Sequence, residues 1–87
     1  MYYVYFLLLD RAVVYKGFTE DLKRRIGEQK RGKVKSTSKY KDIKLIGYDA
    51  YLLKSDAQRR EKFSKTSDGR KLFKQQYRNI LNQFEVV

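Results

Sequence analysis

Residues 2–29 read YYVYFLLLDRAVVYKGFTEDLKRRIGEQ, and the order of signals in this stretch decides the fold. Tyr2 to Leu9 is an unbroken run of aromatic and aliphatic side chains, which suits a pleated, buried surface and predicts a strand. Asp10 and Arg11 interrupt it as a short polar turn. Ala12 to Phe18 resumes the apolar pattern as a second strand, so the two form a hairpin. Gly17 falls near the end of the second strand, where a missing side chain marks a bulge or the close approach of another group. Thr19 then reads as a helix N-cap, with Glu20 and Asp21 in the first turn, where the helix dipole favours acids. Leu22 and Ile26 give that helix its packing side, and it is expected to run to about Arg31 and stop near Gly32.

Outward from there the signals weaken. Residues 32–42, GKVKSTSKYKD, are polar and cationic and read as a loop, and Ile43 to Leu52 reads as a third strand. Ser55 with Gln58 three residues on resembles a capping box, opening a helix that carries Ala57, Glu61 and Phe63. Ser67 to Gly69 is expected to break it. A last helix follows, with Leu72, Phe73, Tyr77, Ile80, Leu81 and Phe84 at three- and four-residue steps. Proline is absent, and no linker or repeat interrupts the chain, so one domain is expected over 1–87 with its core at about 2–84. The order β-β-α-β-α-α predicts an α+β fold, an α/β sandwich in which helices cover a three-stranded, mainly antiparallel sheet.

Composition bounds the chemistry. The chain contains no Cys, which excludes disulfides and thiolate-held metals and fits a reducing, cytoplasmic location. It contains no His either, so a Ser-His-Asp triad, a His-held metal and an imidazole proton shuttle are all excluded. Any metal must be held by oxygen, which favours Mg²⁺ or Mn²⁺ over Zn²⁺. Twenty-one Lys and Arg against ten Asp and Glu leave a net charge of +11, a field that attracts polyanions and nucleic acid above all. Met1 to Leu9 is too short an apolar run to span a bilayer, and no membrane partner is expected.

Few residues suit catalysis under these limits. Tyr5 and Tyr15 lie on adjacent strands of the hairpin. A three-residue loop from Leu9 to Arg11 would pair them directly, whereas a two-residue loop would set Tyr15 opposite Phe6 and send the phenols to different faces. By pattern alone both also suit a strand core. Arg24 and Arg25 are equivalent by composition, and Arg25 and Gln29 share a helix side that ordinarily faces solvent. Glu61 lies one turn beyond Ala57 and is the acid expected to be partly buried, with a salt bridge to Lys65 as its ordinary role.

Together these positions resemble the GIY-YIG nuclease domain, closest to its small stand-alone bacterial members and similar to the N-terminal domain of the excision-repair nuclease UvrC. The likeness covers about residues 2–75. Tyr3-Val4-Tyr5 stands for the first motif, with Tyr3 in place of Gly, and Tyr15-Lys16-Gly17 for the second, with Lys16 in the middle place. Phe18 to Arg25 is similar to the family's polar cap, Leu and Arg pair. Ala57-Gln58-Arg59-Arg60-Glu61 resembles the helix ending in the family's metal-binding Glu, and Ser67 to Phe73 the segment after it.

The resemblance implies a divalent-metal-dependent endonuclease that hydrolyses phosphodiester bonds in nucleic acid. DNA is the expected substrate, chosen by structure rather than by sequence, in a setting such as DNA repair. It implies catalytic roles for Tyr5, Tyr15, Arg25 and Glu61. It selects Arg25 over Arg24, and it makes Glu61 the ligand of one Mg²⁺ or Mn²⁺ ion. Tyr15 is the implied base and Tyr5 its positioning partner, while Lys16 points to the other face of a regular strand. Gln29 stands where many relatives carry His, able to bond a phosphate or water but unable to exchange protons, and Gln75 is the nearest match to an Asn of the last helix. The basic loop, through Lys33, Lys35, Lys39 and Lys41, and the cationic helix, through Arg59 and Arg60, are expected to track nucleic-acid backbones. So small a chain suggests a protein partner for substrate recognition. The alternative is a catalytically weak or inactive nucleic-acid-binding module on the same fold.

Overall fold

The computed structural model describes residues 1–86; position 87, included in the expected domain, lies outside the described residues. Strands β1 (Tyr2–Leu9), β2 (Val13–Thr19) and β3 (Ile43–Tyr51) form one antiparallel sheet in the order β2-β1-β3. Helices α1 (Leu22–Lys30), α2 (Lys54–Ser64), α3 (Ser67–Gln76) and α4 (Arg78–Gln83) complete an α+β fold of order β-β-α-β-α-α-α. The central strand explains its own sequence. With neighbours on both edges and helices over both faces, Val4 to Leu9 is buried at every position, so the strand reads as a continuous apolar run.

The two faces carry separate cores. On one, Tyr5, Leu7, Leu9 and Ile43 pack under Leu22 and Ile26 of α1 and Tyr40 of the following loop. On the other, Val4 and Phe6 meet Ala57, Phe73 and Leu81 from α2, α3 and α4. A bulge on β3 places Phe6 opposite Gly47 and Leu7 opposite Leu45, with Ile46 as the extra residue. A side chain at Gly47 would strike the hydroxyl end of Tyr77, whose ring stacks on Phe73 at 4.4 Å between centroids.

Several boundaries differ from expectation for local reasons. Asp21 is the N-cap of α1, its Oδ1 accepting from Arg24 N at 3.1 Å, while Thr19 ends β2 and accepts from Asp21 N. Ser55 caps nothing: α2 starts at Lys54, and its N-cap, Leu53, makes no side-chain bond. The break before α3 falls at Lys65–Thr66, with Thr66 Oγ1 accepting from Gly69 N. Gly69 sits inside α3, buried, because the Phe63 carbonyl of α2 occupies the space of a side chain there. The last helix is two, divided at Tyr77.

The basic loop is anchored. Asp10 Oδ1 accepts from Lys41 N and Asp42 N at 3.0 and 2.7 Å, and Asp10 N donates to Asp42 O. Thr37 and Tyr40 close successive turns within it.

Candidate active site

The hairpin turn sets the site. Asp10 and Arg11 both have positive φ, 51° and 58°, and Ala12 N donates to Leu9 O. This shape matches the right-handed twist of the strands it joins. The loop that results is Asp10 to Ala12, with Leu9 facing Val13. Tyr5 therefore lies opposite Gly17, and Tyr15 opposite Leu7. Neither expected pairing holds, yet Tyr5 and Tyr15 share one face as diagonal neighbours, their ring centroids 6.2 Å apart. The close approach expected at Gly17 is the Tyr5 ring, which fills the space a Cβ would need.

Helix α1 completes this face. Gln29 is its one buried residue, at 0% exposure, so the expected solvated position is an interior one. Gln29 Nε2 donates to Tyr5 Oη at 3.1 Å, and Thr37 Oγ1 donates to Gln29 Oε1. Each end of the amide holds one protein partner and the residue has no exposed surface, which corrects the reading of Gln29 as a phosphate or water ligand. Arg25, one turn earlier, is half-buried and paired with Glu28 at 3.4 Å, whereas Arg24 is exposed. Burial pushes the Tyr5 phenol above its ordinary pKa; the Gln29 bond opposes this, Tyr15 adds to it, and the nearby Arg25 charge opposes it again. Tyr5 is thus a neutral phenol that receives a hydrogen bond and keeps its own proton to direct elsewhere.

Glu61 stands on α2, on the helix side shared with Ala57 and Ser64. Its side chain is 24% exposed and its Oε2 accepts from Lys65 Nζ at 3.4 Å. Lys65 and Tyr15 line one shallow depression at the β2 edge, which links the α2 side of the sheet to the tyrosine side. Among the described residues, no three His, Cys, Asp or Glu side chains gather to hold a metal ion. Glu61 offers a single carboxylate. That donor set suits Mg²⁺, which keeps several waters and is commonly held by one or two carboxylates plus substrate phosphates.

The remaining candidates separate. Lys33, Lys35, Lys39 and Lys41 are exposed along the anchored loop. Arg59 is exposed, paired with Asp56 at 2.8 Å. Arg60 is a correction: its side chain is 16% exposed, bonded to Asp49 at 3.0 Å and laid over the Phe6 ring at 5.4 Å, so it serves the sheet face rather than a nucleic-acid backbone. Gln75 is exposed on α3, and no hydrogen bond among the described residues joins its side chain to Tyr5, Tyr15, Arg25 or Glu61. Lys16 faces the opposite side, as the strand period requires, with Nζ 5.7 Å from the Phe73 centroid. Sequence reasoning missed Thr37 and Glu28. Thr37 sat in a polar loop with nothing to mark it as buried, while Glu28 could have been found from its i, i+3 spacing to Arg25.

Tyr5, Tyr15 and Arg25 are brought together on one face, while Glu61 lines a separate hollow of α2 with Ser55, Gln58, Arg59 and Lys62. The family model of the GIY-YIG catalytic domain matches residues 1–77, and the chain belongs to that family. Membership implies nuclease activity and a nucleic-acid substrate. No curated protein matches the chain. No solved structure matches it either. Among the described residues, no helix is long and apolar enough to cross a membrane.

Proposed function

We propose that the protein is a divalent-metal-dependent endonuclease acting on DNA, directed by the structure of its substrate and not by base sequence, in a cytoplasmic setting such as repair. The observation that carries this is the convergence of Tyr5, Tyr15 and Arg25 on one sheet face. Tyr15, half-buried and beside the depression, orients and deprotonates the attacking water. Tyr5, locked by Gln29, fixes the position of Tyr15 and hydrogen-bonds from within. Arg25 neutralises a non-bridging phosphate oxygen, and its charge counts most where negative charge develops. Glu61 is the residue to hold one Mg²⁺ or Mn²⁺ ion, which when bound supplies Lewis-acid charge at the scissile phosphate. Lys33, Lys35, Lys39, Lys41 and Arg59 add affinity without base choice.

A plasmid-nicking assay in Mg²⁺ and Mn²⁺ tests the reading. The wild type nicks, and Arg25→Ala and Glu61→Gln lose at least 100-fold (on the order of a lost charge stabiliser) while still binding DNA. The binding-module alternative draws on one observation, the buried, protein-bonded Gln29 amide at a place where many relatives have a proton-exchanging His. Equal binding by all three proteins with no nicking by any would select it.

A further inference from the structure

The strand edge that carries Tyr15 continues into a second, larger groove on the opposite side of the sheet. It has a volume of about 360 Å³ and runs between β2 and helices α3 and α4. Its rim is Lys16, Arg70, Lys74 and Arg78, and its floor includes Phe73 and Leu81. Lys16 and Arg70 also line the depression beside Tyr15, together with Lys65, so the two hollows adjoin. Among the described residues, no carboxylate lines either one, and the ion pairs use none of the four rim cations.

We infer that this groove binds the phosphate backbone of the nucleic-acid strand that passes Tyr15, holding it on the α3–α4 side of the sheet. The direction of the strand rests on the nuclease reading above; the anion chemistry of the groove does not. Four cations with no carboxylate partner among the described residues, of which Arg78 also donates to Gln75 O at 2.8 Å, lie over an apolar floor and match a chain of phosphates joined by sugars, and the row leads away from Tyr15 rather than ringing a closed pocket. The surroundings of Lys16 add to this. Its ammonium is held below its ordinary pKa, first by burial, then by the positive charges of Arg70, Lys65 and Arg60. The fold thus keeps a cation where its neighbours repel it, and a bound polyanion relieves that repulsion. This face is distinct from the basic loop, which covers the α1 side.

The test is a DNA-binding titration from 50 to 300 mM salt, in EDTA and in the Glu61→Gln background, so that catalysis plays no part. Lys74→Glu/Arg78→Glu weakens binding at least 10-fold at 100 mM salt and lowers the log–log salt slope by about 1.5–2. Lys54→Glu, an exposed charge change outside the groove, changes affinity less than 3-fold. Lys16→Met provides a second reading: its melting temperature rises while its affinity falls, the signature of a cation kept for a ligand at the fold's cost. Groove variants that fold and bind like Lys54→Glu overturn the inference and leave the nuclease reading intact. A wild type that never nicks, with groove variants still impaired in binding, removes the nuclease reading and keeps the groove.

Discussion

The Tyr5 ring lies so close to Gly17 that the glycine is part of the candidate site. A Cβ at position 17 would stand 2.7 Å from Tyr5 Cε1 and nearer still to Cζ and Oη, against an ordinary contact beginning at 3.4 Å. Clearing Cε1 alone requires a shift of 3.4 − 2.7 = 0.7 Å, and the other two atoms require more. Tyr5 has no easy direction in which to move. It is 1% exposed, packed with Leu7 and Leu9 in the core under α1, and bonded through its hydroxyl to Gln29. Gly17→Ala is therefore an overpacking substitution that costs about 1–3 kcal/mol, or roughly 4–8 °C of melting temperature per kcal/mol in a domain of this size.

The larger effect falls on catalysis. A misplacement of about 1 Å in an organised site costs on the order of 100-fold in rate, so Gly17→Ala nicks about 10- to 100-fold more slowly while binding DNA normally. A double-mutant cycle isolates the cause. In a Tyr5→Ala background the ring is gone, and Gly17→Ala adds less than about 0.5 kcal/mol of destabilisation, leaving a coupling near the full single-mutant cost. Additive costs, or a Gly17→Ala protein with wild-type rate and melting temperature, refute the claim that the glycine exists to admit the phenol.

Two further predictions rest on buried polar groups. Thr37→Val leaves Gln29 Oε1 without its donor in a site closed to water, which costs about 1–3 kcal/mol; Thr37→Ser restores most of it, and nicking falls for Val more than DNA binding does. The alkaline limit of stability follows from the phenols. Burial, the leading cause in each, raises Tyr5 and Tyr77 above the ordinary 10.0, so above about pH 10 the unfolded chain loses these protons first and stability falls as pH climbs through the raised values. Lys16 has the opposite sign, its lowered pKa returning stability as pH rises toward 10.5, so thermal melts from pH 8 to 11.5 are best run on Lys16→Met. All eight tyrosines titrating together near pH 10 with no drop in melting temperature contradicts the assignment.

What the sequence revealed, it revealed through patterns with a local cause. The apolar run Tyr2 to Leu9 read as a strand, and Leu22 with Ile26 marked the side of α1 that packs. The hairpin register was hidden because its turn needs positive φ at Asp10 and Arg11, and neither residue is the Gly or Asn that announces such a turn. Gly69 looked like a helix breaker because sequence does not show that another helix's carbonyl lies against it. The division at Tyr77 likewise carries no Gly or Pro; it arises where the ring leaves the helix line to cover Gly47. Arg60 was misread for the same reason as Gln29: on a helix wheel both are polar, and only the partners across space, Asp49 and Phe6 for one, Tyr5 and Thr37 for the other, draw them inward.

These polar residues explain how so small a protein can hold a site steady. Tyr5 comes from β1, Gln29 from α1 and Thr37 from the basic loop, so one chain of hydrogen bonds ties three separate segments of the fold. The loop bearing Lys33, Lys35 and Lys39 cannot shift at Thr37 without disturbing the amide that orients Tyr5. Asp10 fixes the far end of the same loop to the turn that sets the register of Tyr15. Under the proposed function, contact with a nucleic-acid backbone along the loop would be mechanically joined to both phenols. On that proposal, loosening either anchor would reach catalysis before it reached affinity, because dispersed lysine charges tolerate displacement whereas catalytic phenols would act only at fixed positions.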